Sequence, residues 1–96
     1  MSTKVQVVEE RRSVYGQPSE TFPAIEEMLA ILKRLRRRSD IPGEDHALQQ
    51  ILMKLTRREA SPENPDHYLD IQGYTAILAE LCQGYISGYV AGRDEP

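Results

Sequence analysis

The chain is 96 residues long, which suits one small domain and excludes two. A hydrophobic content of 40% and a charged content of 28%, with one Phe, five Tyr and no Trp, describe a globular chain with a modest core and exclude global disorder. The net charge of −3 argues against a generally basic nucleic-acid binder. The single Cys82 leaves no intrachain disulfide, and no Cys/His spacing of the zinc type is present. No apolar run approaches the roughly 18 residues that span a membrane. The stretch from Met1 to Glu10 lacks the apolar core of a signal peptide, so a soluble, cytoplasmic protein without membrane contact is expected. A domain this small buries only about two-thirds of its unfolded surface, and oligomer formation is a common remedy.

Residues 1–18 read as a weakly structured N-terminal arm. Val5, Val7 and Val8 suit a short strand or a packing arm, and Tyr15-Gly16-Gln17-Pro18 reads as a turn. Ser19 or Thr21 can cap a first helix, with Pro23 tolerable only in its first turn. That helix is predicted from about Glu20 to Arg38, with Phe22, Ile25, Met28, Leu29, Leu32 and Leu35 as its apolar stripe. Glu26 and Glu27 lie in its first half. Lys33, Arg34, Arg36, Arg37 and Arg38 close it, an order that suits the helix dipole. This basic run reads either as a solvated helix end or as a local patch for nucleic acid. Leu35 interrupts it and no aromatics interleave, which favours the solvated end.

Ser39-Asp40-Ile41-Pro42-Gly43 breaks the chain, and a second helix is predicted from about Glu44 to Glu59. Leu48, Ile51, Leu52 and Leu55 give its core face, and Lys54 and Arg57 stand three apart on a neighbouring face. After the loop from Ala60 to Glu63, Asn64 is a good N-cap and Pro65 takes the favoured first helical position. A third helix is predicted from Pro65 to about Ser87. Ile71, Tyr74, Leu78, Leu81 and Tyr85 form a seam at three- and four-residue steps, suited to packing against other helices. Residues 89–96 read as a frayed tail, which leaves a helical domain over residues 19–88.

The third helix carries the candidate chemistry. Asp66, Asp70 and Tyr74 are four apart and share one side of it. Asp66 in the first turn has a capping and dipole role as its plain reading, and a site role as its sharper one. Asp70 can pair with Lys54 or Arg57 across the hairpin, or can bind a metal or ligand. Lys54 and Arg57 form either a solvated face or a grip on phosphate oxygens. Tyr74 is either core or a surface on which a base stacks. His67 has the pKa range of a proton shuttle, but a first-turn His reads more simply as a surface or capping residue. Cys82 fits a packed face, and nothing marks it as a nucleophile.

Three stretches in order carry a resemblance: Arg11-Arg12-Ser13-Val14-Tyr15-Gly16-Gln17-Pro18-Ser19-Glu20-Thr21-Phe22, then Ile51-Leu52-Met53-Lys54-Leu55-Thr56-Arg57, then Asn64-Pro65-Asp66-His67-Tyr68-Leu69-Asp70-Ile71-Gln72-Gly73-Tyr74. The set resembles a group of small phage and prophage proteins. That group in turn looks related to the MazG-like, all-α nucleoside-triphosphate pyrophosphohydrolases. The resemblance implies a magnesium site on carboxylates of adjacent helices, release of pyrophosphate from a nucleoside triphosphate, and an oligomer with helices of two chains around each site. The chain departs from the enzymes where the paired glutamates of the second helix are expected, because Lys54 and Arg57 stand there. Glu26 and Glu27 lack a matching acid three residues on. Only Asp66 and Asp70 resemble the metal-binding helix.

The expectation is therefore an all-α domain of three main helices. Helices two and three form a hairpin, helix one packs across it, and the chain forms a homo-oligomer, a dimer or tetramer. The expected function is nucleotide binding or pyrophosphohydrolysis, with Asp66 and Asp70 on magnesium and Lys54, Arg57 and Tyr74 on the nucleotide. The alternative is a non-catalytic helical protein that binds a host or phage protein, or nucleic acid, through the basic end of helix one.

Overall fold

The structure, a computed structural model, describes residues 17–94. Four helices follow one another: α1 (Pro18–Leu35), α2 (Glu44–Ala60), α3 (Pro65–Leu81) and α4 (Gln83–Asp94). Among the described residues the all-α expectation holds, and the count of three main helices there is corrected to four. Among the described residues no helix is long and apolar enough to cross a membrane.

The first helix starts earlier and stops earlier than its sequence suggests. Gln17 is the N-cap and Pro18 stands at the first helical position, so Pro23 lies inside the helix. Neither Ser19 nor Thr21 caps it, and Thr21 Oγ1 instead donates back to the Gln17 carbonyl at 3.2 Å. The helix ends at Leu35, and Arg36 already has extended backbone. The cause lies beyond the helix itself. Arg36 and Arg38 are drawn to carboxylates at the start of α2, which a further helical turn would carry them past. The predicted arm over 1–18 lies outside the described residues except for Gln17 and Pro18.

The second helix matches its prediction to within a residue. Gly43 supplies its N-cap in the left-handed region, with φ of 86°. A Cβ there would meet Leu81 Cδ1 at 3.5 Å, so the end of α3 rests against the α1–α2 loop. The start of α3 is also as read: Asn64 Oδ1 accepts the Asp66 N–H at 3.0 Å and Pro65 opens the helix. The predicted third helix is divided at Cys82, whose φ of −97° and ψ of 14° bend the chain. Helical bonding bridges the bend, since Cys82 N–H reaches the Leu78 carbonyl and Ile86 N–H reaches Cys82, both at 3.1 Å. Gly84 and Gly88 weaken helix propensity just beyond it. α4 then runs on to Asp94.

Packing follows chain order. The α2–α3 hairpin makes the most extensive contact, α1 lies on α2, and α4 touches mainly α3. The first helix thus packs on one arm of the hairpin. The core is small: Ile25 and Leu29 of α1 meet Leu52 of α2, ringed by Met28, Leu48 and Met53. From α3, Ile71, Tyr74 and Leu78 are half-buried toward the hairpin. Phe22, Leu35 and Leu55, expected in apolar stripes, are exposed.

Candidate functional site

The hairpin register brings the predicted residues to one seam. Lys54 Nζ lies 2.9 Å from Asp70 Oδ2, joining the middle of α2 to the middle of α3. Its side chain is 16% exposed and that of Asp70 is 45% exposed. Because the helices run antiparallel, Arg57 falls one turn toward the hairpin turn, level with the start of α3, where Asp66 is exposed. Tyr74 follows Asp70 by one turn and is half-buried. Leu69, Asp70, Gly73, Tyr74 and Ile77 line an open groove of about 300 Å³. No Cβ neighbour stands within 4 Å of Gly73, so the groove floor is bare.

The Lys54–Asp70 pair realises the plain reading of Asp70. Its partial exposure leaves it free to exchange partners. Asp66 gives its backbone N–H to the Asn64 cap, while its side chain sits in solvent at the positive end of α3. Among the described residues, no three side chains of His, Cys, Asp or Glu gather as a ready-made metal cage.

His67 differs from its expected surface position. It is 3% exposed, with Nε2 2.8 Å from Ser61 Oγ. Ser61 is also buried, and its hydroxyl lies 3.4 Å from the Arg57 carbonyl. The pair closes the hairpin turn. One step along, Tyr68 donates its hydroxyl to the Pro62 carbonyl, and the Arg58 guanidinium lies 6.0 Å from the Tyr68 ring centre. The neighbouring Tyr68, and after it Glu59, raise the Arg58 pKa above its ordinary value. A Ser and a His six apart across a short turn are the sequence signal for this closure.

A second polar cluster, which sequence reasoning missed, binds α1 to α2. Glu44 is 1% exposed at the first position of α2. Arg38 grips it with both amino groups, at 2.8 Å and 2.7 Å, and Ile41 N–H donates to it at 2.8 Å. Arg36 adds a third cationic contact at 3.3 Å and reaches Asp40 at 2.7 Å and Asp45 at 3.1 Å. Lys33 holds the other oxygen of Asp45 at 3.1 Å. The Arg38 bonds lower the Glu44 pKa to about 2 against the opposing effect of burial, aided by Ile41 N–H and the Arg36 charge. Asp45 is lowered chiefly by Lys33. Arg36 and Arg38 are raised, chiefly by Asp40 and by Glu44 respectively. The basic run is therefore in large part a clasp and not a solvated helix end. Lys33, Arg34, Arg37 and Arg38 all reach solvent, and Arg37 donates to the Arg34 carbonyl at 2.9 Å. The signal was available: a basic helix end and an acidic helix start face each other across a short break.

Together these features define an all-α helical-hairpin domain with a cation, carboxylate and tyrosine line on its α2–α3 seam. The chain belongs to the family described as domain of unknown function DUF6378, whose profile matches residues 2–82. No curated protein and no solved structure matches it.

Proposed function

We propose that the protein binds a nucleotide along the α2–α3 seam, with magnesium joining its phosphates to Asp66 and Asp70. The observation that carries this reading is the Lys54–Asp70 pair set one turn from Tyr74 at an open groove. Phosphate is a stronger partner for Lys54 than a half-exposed carboxylate, and Arg57 one turn away can add a bidentate grip. Tyr74, with Leu69 and Ile77 beside it, offers the groove an aromatic face and apolar walls suited to a base.

The donor set fits magnesium of a particular kind. Magnesium keeps much of its water and is held by one or two carboxylates together with substrate phosphates. Asp66 and Asp70, one turn apart and both reaching solvent, match that requirement. When bound, the ion would neutralise phosphate charge. The order of the sequence motifs is the ground for proposing a place near the MazG-like pyrophosphohydrolases, and with it a phage or prophage setting. Lys54 and Arg57, standing where those enzymes carry a second acidic pair, favour binding over turnover.

Thermal unfolding against a panel of nucleoside triphosphates, with and without magnesium, tests this. The melting temperature should rise only when both are present. Asp70→Asn should remove that rise while keeping the helical circular dichroism of the wild type. No rise with any nucleotide, or an equal rise in Asp70→Asn, refutes the site. A salt-sensitive DNA or RNA complex lost on mutating Arg34 and Arg37 would support the rival reading of a helical interaction protein.

A further inference from the structure

Gly73 stands halfway along the 17 residues of α3, where glycine weakens a helix. Among the described residues nothing in the chain calls for it. Gly43 is the one glycine there with positive φ, and Gly73 lies within regular helix. A Cβ on Gly73 would meet no atom within 4 Å, so no neighbouring helix needs the space. A glycine that serves neither the backbone nor the packing of its own chain leaves room for something that approaches from outside.

The surroundings of Gly73 narrow what that is. Residues three and four apart are neighbours on a helix surface. Leu69 and Ile77 therefore flank Gly73 along α3, and Asp70 borders it on the side of the helix start. All three line the same open groove, together with Tyr74. Leu69 is 61% exposed and Ile77 46%, so two apolar walls stand free beside a floor of bare backbone. Toward the helix start, the Lys54–Asp70 pair supplies a charged end. A ligand lying along the groove meets charge at one end and an apolar dent at the other. Gly84 and Gly88 of α4 also have open space around them, but this groove is lined from α3 alone.

We propose that Gly73 seats the nucleobase: without a Cβ, α3 lets the ring of a bound nucleotide lie against its backbone between Leu69 and Ile77. This rests on the reading of the α2–α3 seam as a nucleotide site, and adds to it the residue that sets how deeply the base lies. The backbone N–H and C=O groups around Gly73 are spent on the helix, so the contact is one of shape and dispersion and not of hydrogen bonds. A methyl group at residue 73 holds the ring off the backbone and off both walls. Dispersion is lost steeply over gaps of under about 1 Å, so even one methyl group is felt. The same methyl group leaves Lys54, Arg57 and Asp66, at the phosphate end, untouched.

Titration calorimetry tests the base seat, with wild type, Gly73→Ala and Gly88→Ala each titrated with ribo- and deoxyribonucleoside triphosphates in magnesium, and with inorganic tripolyphosphate in magnesium. Without ligand, Gly73→Ala should melt roughly 2–8 °C above wild type, because alanine favours the helix and meets open space. It should nevertheless bind the nucleoside triphosphates about tenfold more weakly, and bind tripolyphosphate as wild type does. Gly88→Ala should match wild type with every ligand. Equal nucleotide affinity in wild type and Gly73→Ala overturns the base seat and leaves the seam reading standing. An equal weakening of tripolyphosphate, or a lower melting temperature of free Gly73→Ala, also overturns it, since the methyl group then acts on the phosphate end or on the fold. A wild type that binds none of the triphosphates refutes the seam reading, and the base seat with it.

Discussion

Replacing Glu44 by Gln tests the clasp at the α1–α2 junction. Gln keeps the length of the side chain and an acceptor for Ile41 N–H, but removes the charge that Arg38 and Arg36 hold. The Glu44 pKa falls from 4.5 to about 2 in the folded chain. A fall of that size corresponds to about 3 kcal/mol of folding free energy at neutral pH. For a domain whose total stability is on the order of 5–14 kcal/mol, that is a large share.

The sign in pH follows from the direction of the shift. A carboxyl group whose folded pKa is depressed contributes its full stability above its unfolded pKa of 4.5. That contribution falls as pH drops from there toward about 2. Urea unfolding followed by circular dichroism, at one fixed protein concentration, measures it at a series of pH values. The gap between wild type and Glu44→Gln should be about 3 kcal/mol at pH 7 and should narrow steadily below the unfolded pKa. A gap under about 1 kcal/mol at pH 7, or one that does not change on acidification, would refute the clasp.

Ser61→Ala removes the hydroxyl beside Nε2 of the buried His67 and should destabilise the domain by about 1–3 kcal/mol in the same assay. An unchanged midpoint would show that the turn does not rely on that bond. Asn64→Ala deletes the N-cap of α3 and should cost about 1 kcal/mol, with hydrogen exchange faster in the first turn of that helix.

Local signals were legible in the sequence where they determine structure locally. Asn64 and Pro65 placed the start of α3 because the cap and the fixed proline φ act within two residues. The apolar spacing in α2 and the break before Glu44 placed that helix within a residue. The end of α1 was misplaced because it depends on Glu44, six residues beyond Arg38 and on another helix. The helix dipole favours Arg36 to Arg38 in a last helical turn, and a buried carboxylate outweighs it. The bend at Cys82 escaped because the seam steps of three and four residues continue through it to Tyr85. Periodicity reports which residues share a side, not whether the axis stays straight. His67 was misplaced for the opposite reason to α1. A first-turn position is usually wet, but here the hairpin turn folds Ser61 over it.

The two cation–carboxylate groups of this domain have the same chemistry and different burial, and burial separates their roles. Glu44 is 1% exposed and held by two guanidiniums and a backbone N–H. Withdrawing its cations would strand its charge away from water, so this group serves the structure. Asp70 is 45% exposed, and its pair with Lys54 is of the kind that contributes about 1 kcal/mol or less. Water can take the place of either partner at little cost. On the proposed reading, a phosphate arriving at Lys54 would displace a weak partner, and the released carboxylate would be left beside it to share a magnesium ion with Asp66. The exposure that makes the Lys54–Asp70 pair unimportant to folding is what would open it to the proposed ligand.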